Sequence, residues 1–360
     1  MTTFIILLLI AAVLAALEYY WANYGLDAIR FKGEADHTLA EPGEEITWSA
    51  TVENHSRLPI PFVRLQETFP IEAMHHASDS WVRLHCTHLV TYYVVEHKLS
   101  LKRRTSAEHK LRISFPRRGQ YFLGSYTLAC GDLLGFRESS KDGEAQSVVI
   151  IPKRSKQQVA LDALGGFLGD ISVRRFILED PILTMGFRDY TGREPMKSIS
   201  WTRSATAGSL QVKQFDHTAE QHVMILLNVE DATPEELEEC FRLTRTACEK
   251  LEQKKIPYGF RTNGCLAGPM GAIAYMAEGL GQRHLHTILY GLGRATDTCF
   301  YSFRYLIEHT IRHRSSNESY IIITPPLESG DRANVRKLEN VVGNSLCILT
   351  AQVENEEASA

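Results

Sequence analysis

The chain has no Cys-x-x-Cys pair, no Gly-Lys-Ser or Gly-Lys-Thr, no Gly-x-Ser-x-Gly and no His-Glu-x-x-His. Each absence removes a class: zinc ribbons and thioredoxin-like redox centres, phosphate-cradling loops, serine hydrolases and zincin proteases. An excess of cations is also missing. With 39 Lys and Arg against 43 Asp and Glu, the formal charge is -4, and no global field concentrates nucleic acid. The seven cysteines are odd in number and scattered, which suits a reducing compartment.

What is present begins with "FIILLLIAAVLAAL", Phe4 to Leu17, a run without charge, followed by the aromatic cluster "EYYWANY". Extended through Tyr24, the segment makes a helix of roughly 30 Å, enough for one bilayer crossing with aromatics at the interface. A cleaved signal peptide is the rival reading, but no basic residue precedes the run and no small-x-small site precedes the aromatics. Residues 1–25 are therefore expected to be a retained transmembrane anchor. Arg30 and Lys32 follow it, which places the body on the cytoplasmic side by the positive-inside rule.

In "EEITWSATVEN", Ile46, Trp48, Ala50 and Val52 alternate with polar neighbours at the strand period. Further apolar runs, "HLVTYYVVEH", "QYFLGSYTLAC" and "SVVIIPK", are separated by turn-rich or charged pieces. That spacing predicts an antiparallel, immunoglobulin-like β-sandwich over residues 26–155. The rhythm then changes. "QHVMILLNV" reads as a strand covered on both faces, and Thr233, Pro234 and Glu236 announce a capped helix with Leu237, Phe241, Thr244, Cys248 and Leu251 on one side. "YGFRTNG", "SYIIITPPL" and "SLCILTA" supply more strands, with "CFYSFRYLIEHTIRHR" as a helix between them. A doubly wound α/β domain is predicted over 221–352, ahead of a disordered acidic tail at 353–360.

Between these parts lies "GFRDYTGREPMKSISWTRSATAGSLQVKQF", Gly186 to Phe215, with five cations, Tyr190 and Trp201. Its Gly186, Arg188, Tyr190, Gly192, Trp201, Ser204, Ala205, Gly208, Leu210 and Val212 resemble the motif that precedes the first strand of the C-terminal domain in the "domain of unknown function 58" family. Arg193 stands where the family has an acid and Thr206 where it has an arginine. "GDLLGFRE" and "VVIIPKR" resemble the region upstream. The resemblance implies a von Willebrand factor A-like C-terminal domain, with 156–220 as the segment leading into it. It also implies association with MoxR-type AAA+ ATPases in assembling or maturing protein complexes.

Many A-type domains bind magnesium through Asp-x-Ser-x-Ser after the first strand, since hard cations need oxygen donors at alternate loop positions. This chain offers Asn228, Glu230 and Ala232, an amide, a carboxylate and a methyl, so the ion site reads as degenerate. His309 and His313 share a helical face but lack a third ligand, and read as ordinary histidines. The glycine pairs of "EGLGQRH" and "YGLGRA" follow no predicted strand and read as helix ends or turns. Cys240 and Cys248 read as packing residues. No catalytic constellation, cofactor motif or metal motif emerges.

For the Gly186–Phe215 stretch two readings stay open. In one it is a brace, its cations paired with Asp189, Glu194 and Asp216 and Trp201 packed on the core. In the other, Arg188, Tyr190, Trp201 and Arg203 form a protein-docking surface, since Arg, Tyr and Trp dominate interface energies. The function expected is a non-enzymatic, membrane-anchored adaptor working with a MoxR-type ATPase; the alternative is a metal-dependent adhesion or ligand-binding receptor using a modified ion site.

Overall fold

The computed structural model describes residues 2–75, 82–87, 90–131, 138–177, 184–192, 194, 196–215, 221–266, 275–315 and 317–352. The acidic tail, Arg193, Asp216 and most of "GDLLGFRE" lie outside them. The chain forms two compact units, Met1–Pro152 and Lys153–Ala360.

The first unit opens with helix α1 (Thr2–Tyr24), whose Thr3–Trp21 stretch is long and apolar enough to cross a membrane. Its C-terminal end is fastened to the strands that follow. Trp21 is buried, and its indole N–H donates to the Pro59 carbonyl at 2.9 Å. Twelve strands then run in chain order: β1 (Ile29–Ala35), β2 (Leu39–Ala40), β3 (Ile46–Asn54), β4 (Ile60–Pro70), β5 (Met74–His75), β6 (Val82–Thr87), β7 (Val90–Leu101), β8 (Ser106–Ser114), β9 (Gly119–Leu123), β10 (Ser125–Gly131), β11 (Glu138–Gly143) and β12 (Gln146–Ile150). They make sheets ordered β1-β3-β8-β5, β11-β10-β4-β7-β6 and β2-β12-β9. The first two are antiparallel throughout.

Alternation decides which side chains meet. In β3, Ile46, Trp48, Ala50 and Val52 are all buried, as the period of two requires. One core cluster gathers Trp48, Phe69, Tyr93, Val95, Leu111 and Ile113; a second gathers Ile29, Val52, Val63, Leu65, Leu101 and Leu128. Both draw on the β3–β8 and β4–β7 pairs. Room for the Trp48 indole depends on glycine. A Cβ on Gly124 would lie 2.1 Å from the ring and one on Gly33 2.4 Å, and Gly124 also holds a φ of +67°.

The second unit is mixed α/β. Its elements are α2 (Gln158–Ile177), β13 (Thr184–Asp189), α3 (Trp201–Ala207), β14 (Gln211–Phe215), β15 (His222–Leu227), α4 (Pro234–Gln253), β16 (Tyr258–Thr262), β17 (Gly264–Leu266), β18 (Tyr275–Gly279), α5 (Gln282–Arg294), β19 (Ala295–Cys299), α6 (Phe303–Arg312), β20 (Glu318–Thr324), α7 (Ser329–Val342) and β21 (Leu346–Thr350). The main sheet runs β18-β16-β15-β20-β21, parallel except for the edge strand β18. Strands β15 and β20 are almost wholly buried, as central parallel strands are.

Helix α4 starts where its sequence dictates. The Thr233 hydroxyl accepts from the Glu236 amide while the Glu236 carboxylate accepts from the Thr233 amide, closing a capping box ahead of Pro234. Leu237, Phe241, Thr244, Cys248 and Leu251 are buried along it. Cys240 and Cys248 are buried as well, and burial pushes both thiols up, so they pack as protonated groups.

Three expectations need correction. Helix α6 begins only at Phe303, because the Ser302 hydroxyl caps it by accepting from the Tyr305 amide; the preceding "ATDTC" is strand β19. The glycines of "EGLGQRH" are not free of strand structure: Gly279 ends strand β18, and Gly281 follows it and caps α5. There the Gly281 amide donates to the Glu252 carboxylate at 3.1 Å, so an acid already occupies that position. The glycines of "YGLGRA" lie inside α5, where Gly291 and Gly293 are buried.

Candidate functional site

The Gly186–Phe215 stretch folds as a hairpin with an inserted helix. Strands β13 and β14 pair antiparallel, with Phe187 opposite Lys213, Arg188 opposite Val212 and Asp189 opposite Gln211. Helix α3 fills the excursion and ends at Gly208, whose φ of +72° is the left-handed stop that glycine supplies without penalty. Ser204 ties helix to strand, its hydroxyl donating to the Ser200 carbonyl and accepting from the Gln211 amide, both at 2.8 Å.

The four predicted docking residues separate into two roles. Arg188 is engaged internally, its guanidinium 2.6 Å from the Glu194 carboxylate, which also accepts from the Thr191 amide and hydroxyl. These contacts, the Thr191 hydroxyl foremost, hold the Glu194 carboxyl down to about 2. Tyr190 is half-buried, and its amide donates to the Leu210 carbonyl at 2.8 Å. Trp201, by contrast, is 60% exposed at the start of α3, so the packing expected of it in the brace reading does not occur. Arg203, two residues on in the same helix, lies 5.1 Å over the exposed Phe187 ring as a cation–π pair. Met196 and Leu210 add exposed apolar surface within the same stretch. Of the acids expected to pair with cations, Glu194 does; Asp189 instead accepts from Ser209 and Gln211.

At the carboxyl end of β15 the three ion-site positions are turned to other uses. Asn228 is buried; its amide nitrogen donates to Thr324 Oγ1 at 3.1 Å, and its oxygen accepts from Asn263 Nδ2 at 2.7 Å and from the Glu230 amide at 3.0 Å. Asn263 completes the link by accepting from the Val229 amide at 2.9 Å. Glu230 turns to α6, where its carboxylate accepts from the Phe303 amide at the helix start. Ala232 contributes no oxygen. The strand tip is thus an amide and hydroxyl network joining β15, β16 and β20. His309 and His313 stack at 4.2 Å between ring centroids, and His313 Nδ1 lies 2.9 Å from the His309 carbonyl.

One chemical grouping escaped the sequence reading. Glu67 on β4, His97 on β7 and His109 on β8 bring one carboxylate oxygen and two imidazole nitrogens within 4.8 Å of one another. Glu67 is fully buried, and the histidines are half-buried. Burial holds the His97 imidazole below its ordinary range, His109 adds to that, and Glu67 opposes it. The signal available was an acid at a core-facing strand position, between Leu65 and Phe69.

No protein-family model matches the chain, and no curated protein matches it. Among solved structures, AvmM, which catalyses macrocyclization in alchivemycin A biosynthesis, is 12% identical over 36% of this chain and 93% of its own, with a TM-score of 0.24. A non-cellulosomal cohesin from the hyperthermophilic archaeon Archaeoglobus fulgidus is 12% identical over 36% of this chain and 95% of its own, TM-score 0.23. The major pilin subunit BcpA of Bacillus cereus is 6% identical over 35% of this chain and 41% of its own, TM-score 0.25. Likeness at that level carries no inference of shared fold or function.

Proposed function

We propose that the protein is a non-enzymatic, membrane-anchored interaction protein of the kind its motif resembles. In this reading α1 is the anchor, the β-rich unit is a β-sandwich, and the α/β unit is a von Willebrand factor A-like domain. The latter recruits a MoxR-type AAA+ ATPase on the cytoplasmic side, and the ATPase supplies the work of assembling or maturing protein complexes. The observation that carries the reading is the exposure of Trp201 on the short helix that also carries Arg203 and its cation–π contact with Phe187, since exposed tryptophan and arginine on one element have the composition of an interface hot spot. The hydrogen-bonded state of Asn228 and Glu230 favours contact over ion capture at the strand tip.

Co-purification of a co-expressed MoxR-type ATPase with the full chain tests it. Trp201→Ala and Arg203→Ala should each weaken capture by a hot-spot increment of about 2 kcal/mol, roughly thirty-fold in affinity. Capture that is indifferent to both changes rejects the docking role. Arg188→Ala is the poorer probe, because it also breaks the Glu194 ion pair that holds the hairpin.

A further inference from the structure

We propose that Glu67, His97 and His109 form a binding site for a divalent transition metal, zinc by donor set, inside the β-rich unit. The proposal does not depend on the adaptor reading. Its basis is placement. Strand alternation puts Glu67 between Leu65 and Phe69, His97 between Val95 and Leu99, and His109 between Ala107 and Leu111. In every case one neighbour belongs to the cluster around Trp48 and the other to the cluster around Val63 and Leu65. The three residues therefore make a polar layer separating two hydrophobic ones. A lone buried carboxylate there costs several kcal/mol unless it is compensated.

Compensation within the chain is incomplete. Glu67 Oε1 accepts from the Trp48 indole N–H at 2.7 Å. Glu67 Oε2 lies 2.7 Å from His109 Nε2, yet Glu67 Oε2, His97 Nε2 and His109 Nε2 are all buried and make no hydrogen bond among the described residues. Three potential ligand atoms thus converge, with the Glu67–His109 contact at ion-pair distance. A metal ion satisfies all three together.

The donor set suits the metal. Two imidazoles and one carboxylate, with a fourth position left for water, is an established zinc arrangement, and bond lengths of 2.0–2.1 Å place tetrahedral ligands about 3.3 Å apart. The Glu67–His109 pair at 2.7 Å needs to open by about 0.6 Å to reach that, and His97, within 4.8 Å, to close in. Trp48 fixes the other carboxylate oxygen, which is what outer-shell partners of metal ligands do. The histidine side chains are partly exposed while their ligating nitrogens are buried, so metal entry requires a local opening of the strands. Bound metal would bridge β4 and β7 of one sheet to β8 of the other.

The test uses the full chain in detergent, stripped with chelator and titrated with cobalt(II) and with zinc, alongside elemental analysis. One metal per chain is expected, with cobalt d–d absorption and no thiolate charge-transfer band. His97→Gln and His109→Gln should each lower affinity by more than the roughly 10–100-fold that loss of an outer-shell partner costs, and Trp48→Phe should fall within that range. Circular dichroism of each apo variant separates loss of a ligand from loss of fold, and His97→Gln, at a half-buried position, is the variant most tolerant of change. Uptake by wild type no greater than by the His97→Gln/His109→Gln double variant overturns the proposal. So does uptake carrying thiolate bands, which would assign the metal to cysteine.

Discussion

Asn263 donates from its side-chain amide to the side-chain oxygen of Asn228 at 2.7 Å, and both residues are buried at the carboxyl end of the central sheet. The bond is one of three that Asn228 makes with its side chain, the others engaging Thr324 and the Glu230 amide. Asn228→Ala removes them all and leaves buried groups on three segments without their partner. A loss of about 1–3 kcal/mol is expected, as for other buried polar groups left unsatisfied, read as a lowered urea midpoint with unchanged slope.

Glu230 contributes at the neighbouring loop by receiving the Phe303 amide at the start of α6. Glu230→Ala should destabilise that helix end by about 1 kcal/mol, the usual scale for a cap reinforced by the helix dipole. Amide exchange at Phe303 and Arg304 should accelerate while α4, with its own capping box, stays protected.

The hairpin carries a pH signature. Thr191 and Arg188 hold Glu194 down to about 2, below the roughly 4.3 of an unfolded glutamate. A depressed carboxyl stabilises the fold above its unfolded pKa and loses that contribution as pH falls through the folded value. Protection of the Thr191 amide, corrected for intrinsic exchange, should therefore be constant above about pH 5 and decline toward pH 2. Glu194→Gln should abolish the dependence and leave the amide weakly protected throughout.

Gly124→Ala places a methyl where the Trp48 ring lies, at a backbone angle of φ +67° that alanine resists. The ring must shift, and with it the indole N–H that Glu67 accepts. The change should lower the thermal midpoint of the β-rich unit by several degrees, on the scale of a 1–3 kcal/mol overpacking cost. It should also weaken cobalt(II) uptake, although Gly124 bears no ligand.

What could be read from the sequence followed local rules. The capping box at Thr233, the alternation of β3 and the apolar run of β15 each state their structure within ten residues, and each appears as read. Helix α5 did not announce itself, because Gly291 and Gly293 argue against helix by propensity, and only their burial within the folded unit gives them a place. The exposure of Trp201 was one of two readings the sequence left open, because burial of a tryptophan depends on what packs over it and not on its neighbours in the chain. The grouping of Glu67 with His97 and His109 depends on β4 pairing with β7 and on β8 packing across from them. Strand register and sheet facing are set by the whole core, so no local pattern carries them.

The joint at Trp21 limits movement. Because the indole is buried and bonded to Pro59, the end of the apolar helix and the first strands form a single stiff piece, without a leash between them. With that helix seated in a bilayer, as proposed, the β-rich unit cannot swing freely through the surrounding fluid. It would stand at one height above the lipid, and whatever meets it would have to arrive there.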